Sequence, residues 1–314
     1  MAVKLILLLA AVVCVDIVAV AGFFINEDKN NKVVNLSFLT GWILSLVIFV
    51  INWLDAGEPP LGNMYHVAIV VSCSFYPFWL FLKQKHGQYA LAPFFIVAQL
   101  LFAVGAVFMW KDGWIRPPVL RSHYFIPHVT SYMISYALLT VSFFIVFTAV
   151  LRSNLDKKLR VGIHLVIPVV VYLVSWSYGH STKSFSIGAG IYAVFVVLAL
   201  VLRLPSLRLA SVSQYDESAY RVVLLAYPFL TIGICLGALW AEDSWGQYWS
   251  WDLKETWALI TWMLYAVYLH CRKILFFRKC SRPVLVLAYL ALLITYLAVN
   301  LMPSMASAMH SYTK

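Results

Sequence analysis

Charge is scarce in this chain, and acid is scarcer than base. Of 314 residues only 11% are charged, 13 acidic against 23 basic, while 63% are hydrophobic and the mean hydropathy is +0.85. Too little polar surface remains to cover a water-soluble globule of this size. The chain also lacks a phosphate-cradling glycine loop, a nucleophile elbow, clustered Cys/His zinc spacing, internal repeats and low-complexity tracts. These absences argue against nucleotide-driven, serine-hydrolase and zinc-site chemistry. There are five cysteines and no Cys-x-x-Cys, which excludes a dithiol relay and covalent cofactor attachment through paired thiols.

What is present in excess is long apolar runs. They fall near 4–25, 37–54, 64–82, 89–110, 125–151, 161–178, 186–202, 222–241, 254–270 and 284–303. Each is about the length that crosses the hydrocarbon core as a helix, which satisfies its own backbone hydrogen bonds in lipid. The reading is all-α: a polytopic transmembrane helix bundle of about ten spans, forming one integral membrane domain over 1–314. The pair inside 153–215 is read as an inserted hairpin added to eight core spans. The first run, Lys4 to Ile25, lacks a small-residue cleavage site and is read as a retained first helix.

Placed on alternate sides of ten spans, 16 of the 23 Lys and Arg residues share one side, which the positive-inside rule makes cytoplasmic. Both termini then face outward, as does the loop 241–254. Cys14, Cys73 and Cys235 fall in spans, Cys271 and Cys280 in a basic cytoplasmic loop, and none on the oxidising outer face. The net charge of +10 is accounted for by anchoring to anionic membrane lipid, with no call for nucleic acid.

The outward loop reads Trp245-Gly246-Gln247-Tyr248-Trp249-Ser250-Trp251-Asp252. Tryptophan and tyrosine populate membrane interfaces generally, so any one of these residues could be belt material. Together, Trp240, Trp245, Tyr248, Trp249, Trp251 and Trp257 read as a broad platform for stacking a large planar ligand. Asp252 followed by Glu255 begins the next helix as an N-cap close to a capping box, a role that sets the angle at which the loop enters the helix.

Histidines sort by depth. His128, in the first turn of its span, and His310, beyond Pro303, belong at the outer surface with the Trp loop. Either could simply be solvated; as a pair beside an aromatic platform they suit axial ligation of heme iron by neutral imidazole. His270 lies 18 residues after Asp252, about 27 Å along a helix, at the inner leaflet level. It could answer the helix dipole beside Arg272 and Lys273, or ligate at a second heme station with His164 or a histidine from another subunit. His66, His123 and His180 fall at or near the outer face and His86 in a cytoplasmic loop. Arg116, Arg121, Lys111 and Lys254 are external cations able to meet propionates or simply be solvated.

The run W-G-x-x-W-x-W-D resembles the hallmark of WWD-domain, heme-handling membrane proteins. Lys254-Glu255-Thr256-Trp257 onward to Trp262, with Tyr268-Leu269-His270, looks specifically like the CcsA (ResC) branch of cytochrome c biogenesis. Three further segments agree: Pro60-Leu61-Gly62-Asn63-Met64-Tyr65, His128 with Ser135-Tyr136-Ala137, and His310-Ser311-Tyr312. The resemblance implies heme-ligand roles for His128, His310 and His270, and a heme platform of Trp245, Gly246, Trp249, Trp251 and Asp252. It implies heme b as cargo, apocytochrome c as acceptor and a CcsB (ResB)-type membrane subunit as partner, in a bacterial cytoplasmic (inner) membrane. The chain departs from the pattern at Leu253, where proline is usual, and at His66, where an acid is common; residues 153–215 exceed the common eight-span plan.

The expectation is therefore a cytochrome c synthase (heme lyase) subunit that moves heme outward and presents it for thioether attachment to a CxxCH segment. Three rivals make different predictions. A heme transporter or chaperone forms no bond, and a b-type electron carrier predicts paired histidines at both leaflets. A solute transporter with a coincidental aromatic belt is argued against by the absence of acidic or proton-relay residues inside most spans.

Overall fold

A computed structural model of the protein describes residues 2–25, 32–61, 63–86, 89–108, 121–152 and 211–298. Among these residues the secondary structure is helical, with no strand. The α-helices are α1 (Ala2–Ile25), α2 (Lys32–Ala56), α3 (Met64–His86), α4 (Ala92–Phe108), α5 (Phe125–Arg152), α6 (Val212–Trp245), α7 (Leu253–Lys273) and α8 (Ser281–Leu293). Short 3-10 turns at Tyr89–Leu91 and Leu275–Cys280 and a π turn at Ile294–Ala298 accompany them. Helices α1, α2, α3, α5 and α6 are long and apolar enough to cross a membrane, and α4 is a shorter apolar helix. Eight of the ten apolar runs thus coincide with α1 to α8, whereas those at 161–178 and 186–202 lie outside the described residues, as does His310.

The chain divides into two compact units, Met1–Ser142 with Tyr220–Ser250, and Phe143–Ala219 with Trp251–Lys314. In the first, α1 packs on α2 and α4, and α3 on the same two helices. Leu5, Leu9 and Val12 of α1 meet Ile48 of α2, Tyr65, Ala68 and Ile69 of α3, and Ala103 and Ala106 of α4 in one buried cluster. Asn63 Oδ1 accepts from His66 N at 2.8 Å in the first turn of α3, and Tyr65 Oη accepts from Asn52 Nδ2 of α2 at 3.1 Å. The Pro60-to-Tyr65 segment therefore starts α3 and ties it to the end of α2.

Proline inside a helix strips a donor from the carbonyl four residues back. Pro77 in α3 does this to Cys73, and Trp42 Nε1 of α2 donates to that carbonyl at 2.8 Å. An indole from a neighbouring helix thus replaces the missing backbone bond, as an apolar setting requires.

In the second unit, α7 packs on α8. Thr261 and Thr295 hydroxyls meet at 3.2 Å, and Phe143 stacks on Tyr289 at 4.2 Å and 13°. At the start of α6, Asp216 takes a bidentate pair of bonds from Arg282, Nε to Oδ1 at 2.8 Å and a second guanidinium nitrogen to Oδ2 at 2.9 Å. Arg272 lies 3.7 Å from Asp216 and 3.8 Å from Glu217. A bidentate fork of this kind fixes orientation as well as charge, so it clamps the beginnings of α6 and α8 to the end of α7.

Candidate functional site

The opposite end of α6 carries the aromatic loop. Trp245 is its last residue, and Gly246 follows at φ +75°, with its N–H donating to Glu242 O at 2.8 Å. A left-handed residue after the last helical turn is the usual stop, and glycine takes it without a Cβ penalty. Trp251 also has positive φ, +59°, a conformation that bulky residues rarely adopt and that persists only where the surroundings impose it. It is 69% exposed and Tyr248 58%, whereas Trp245 and Trp249 are partly buried. Asp252 is the N-cap of α7, its carboxylate accepting from Glu255 N at 2.8 Å. The capping role read from the sequence is present.

Within the first unit, the end of α6 forms a nest for His128. The imidazole stacks on Trp240, with centroids 5.5 Å apart at 30°, and meets Tyr132 edge-on at 5.0 Å and 82°. Phe125 and Trp245 both pack on Trp240, at 5.4 Å and 5.2 Å. The Trp245 ring stands at 72° to that of Trp240, so the two rings form a corner.

The nest is shaped by glycines. A Cβ at Gly237 would fall 2.6 Å from His128 Cε1 and 2.8 Å from its Nδ1, and one at Gly233 would fall 3.0 Å from Tyr132. His128 Nδ1 lies 2.8 Å from Gly233 O. A carbonyl can only accept, so Nδ1 carries the proton and the lone pair of the neutral ring is on Nε2. Metal-binding histidines are commonly oriented in this way, by one ring nitrogen donating to a fixed acceptor.

His270, in the last turn of α7, uses the same device within its own helix, Nδ1 donating to Ala266 O at 2.7 Å. Unlike His128 it is exposed, on the side of α7 opposite the buried Tyr265, Tyr268 and Cys271 face. His66 is buried in the first turn of α3, its ring 5.2 Å from that of Tyr65. His123 is exposed just before α5 and His86 is exposed at the end of α3. His164, His180 and His310 lie outside the described residues.

The sequence reading missed Gly233, Gly237 and Tyr132. Their signal was there: Gly233, Gly237 and Trp240 follow i, i+4, i+7 spacing, and Gly233-x-x-x-Gly237 is a small-residue pattern that lets helices approach closely.

These features describe an all-helical protein with several apolar helices of membrane-spanning length and an aromatic, histidine-bearing cluster at one end of α6. Residues 30–306 match the family described as Cytochrome C assembly protein. Similar proteins include cytochrome c biogenesis protein CcsA of Cyanophora paradoxa, 31% identical over 302 residues that cover 90% of this chain and 89% of that protein. The protein of the same name from Mesostigma viride is 32% identical over 284 residues, covering 88% of this chain and 85% of its own. The chain belongs to the cytochrome c assembly protein family.

Proposed function

We propose that the protein is the heme-handling subunit of a cytochrome c synthase and that the nest at the end of α6 is its outer heme station. The observation that carries this is the His128 hydrogen bond to Gly233 O, which fixes the ring and its Nδ1–H tautomer in the manner common to metal-ligating histidines. The nest fits the substrate chemically: one oriented imidazole, a close-packed aromatic wall and exposed Trp251 and Tyr248 beside it in sequence. His310 would supply the opposite axial ligand. Trp245, Gly246, Trp249, Trp251 and Asp252 would form the rim that orients heme b toward an incoming apocytochrome c.

The reaction adds each cysteine S–H of the CxxCH segment across a heme vinyl group, making one C–S and one C–H bond with no leaving group. The chain's residues contribute position: His128 and His310 fix the iron, and the Trp rim sets which edge faces the acceptor. No residue of the nest is needed as acid or base.

His270 fits a second, inner station. Its exposure on α7, with the tautomer set by Ala266 O, suits a ligand shared with another subunit, here a CcsB (ResB)-type partner. The full arrangement would comprise ten spans with 153–215 as an added hairpin, both termini and the WWD loop outside, in a bacterial cytoplasmic membrane.

The test is to co-express the chain and its partner with an apocytochrome c, as wild type and as His128→Ala. The variant is expected to lose most outer-site heme absorbance and nearly all thioether-linked heme on denaturing gels. Unchanged heme and unchanged cytochrome yield overturn the assignment. Wild-type chain that delivers heme but leaves none covalently linked selects the chaperone reading instead.

A further inference from the structure

Ionisable side chains inside membrane bundles are costly and mark sites with a task, and α1 contains one that heme handling does not use. Asp16 is fully buried, at 0% exposure. Its Oδ1 accepts from Gln99 Nε2 of α4 at 3.1 Å. Helix α2 closes on the pair at Gly41, where an added Cβ would fall 2.7 Å from Asp16 Oδ1 and 2.8 Å from Gln99 Nε2. Gln99 is likewise fully buried.

Among the described residues, α2 and α4, the two helices with most of the packing on α1, place no charged side chain mid-helix beside this carboxyl. Helix α4 carries no ionisable side chain, and α2 carries only Lys32 and Asp55, each near an end of that helix. The other ionisable groups of α1 are Lys4, twelve residues away, and Cys14, which is exposed on the helix surface.

Two atoms at the junction have no hydrogen-bond partner among the described residues, Asp16 Oδ2 and Gln99 Oε1. With Asp16 ionised, both are acceptors, and a buried anion without a counter-charge adds the cost of desolvation. One proton resolves both. Placed on Oδ2, it turns that oxygen into a donor, and the acceptor complementary to it belongs to the amide already bonded to Oδ1. A carboxylic acid and a primary amide are able to satisfy each other reciprocally, and the bond from Gln99 Nε2 to Asp16 Oδ1 is already one half of such a pair. Turning the Gln99 amide over does not change the count, because its oxygen would then face Oδ1 and require the proton there.

We propose that Asp16 and Gln99, closed over by Gly41, form an intramembrane proton-binding site in which Asp16 is the neutral acid. The site uses none of the histidines or tryptophans of the heme reading and stands or falls apart from it.

Infrared difference spectroscopy on the full chain in lipid nanodiscs tests it, comparing wild type with Asp16→Asn. Asparagine retains both reciprocal bonds as an amide pair, so the variant is expected to fold and melt like wild type. The wild type is expected to show the carbonyl stretch of a protonated carboxylic acid from mildly acidic to mildly alkaline buffer, lost in Asp16→Asn. The band should be indifferent to exchange of sodium for potassium and should move to higher frequency in Gln99→Leu. Carbon-13-labelled aspartate shifts the same band in unsubstituted protein, which decides the matter should the variant fold poorly. Carboxylate bands in place of the acid band, or an acid band that appears only when sodium is withdrawn, overturn the proposal.

Discussion

His128 and His270 are oriented by the same bond, Nδ1 to a backbone carbonyl, yet in opposite settings. His128 is gripped by another helix, with Gly233 O as acceptor, Trp240 against one face and Gly237 pressed against its edge. Among the described residues His270 bonds to its own helix, at Ala266 O, and stands exposed. The difference teaches how each is organised for ligation. The orientation of His128 depends on Gly233, Gly237 and Trp240 of α6, so this chain alone preorganises it. That of His270 depends on α7 alone, so the ring is presented to whatever covers that surface.

The sharpest way to break this comparison is Gly237→Ala. With a Cβ 2.6 Å from His128 Cε1 and 2.8 Å from Nδ1 something must shift, and the ring is expected to turn away from Gly233 O. Losing such an orienting contact typically costs about 10–100-fold in metal affinity, so outer-site heme retention is expected to fall by about that factor with His128 still in place. Gly233→Ala is expected to do less, because its Cβ meets Tyr132 at 3.0 Å, where the neighbour need give only a little. Equal heme retention in wild type and Gly237→Ala, measured by absorbance after purification, would show that the nest does not set ligand orientation.

His270→Ala should give an intermediate effect that depends on company. Heme bound by the chain purified without a CcsB-type partner is expected to be unchanged, while the additional heme bound by the two-subunit assembly is lost. A loss of equal size with and without the partner would contradict the view that His270 is presented to a neighbour.

How much of this was legible beforehand follows from the range of each interaction. The helices were, because apolar runs are local; so was the Asp252 cap, whose donor is three residues away. The place of His128 in the first turn of α5 was readable from the apolar run, but its tautomer was not, because Gly233 is 105 residues distant. The tryptophans were visible as a run in the sequence; the 72° between the Trp240 and Trp245 rings was not, because side-chain rotation within α6 sets it. Asp16 with Gln99 and Asp216 with Arg282 join residues 83 and 66 apart, and nothing in the local pattern of either pairs them.

The smallest expected effect separates two jobs of one residue at the rim. Asp252 caps α7 through Glu255 N, and replacing a capping acid by alanine costs about 1 kcal/mol. Asp252→Ala is therefore expected to lower the melting temperature slightly, with α7 fraying beside Trp251. Asparagine caps as well as aspartate, so Asp252→Asn should melt like wild type. Cytochrome yield then discriminates: if Asp252 serves only to set the entry of α7, the asparagine variant matures cytochrome c at the wild-type level. If instead its charge takes part at the rim, yield falls in Asp252→Asn although stability does not, and the difference between the nest and the loop becomes one of chemistry as well as of packing.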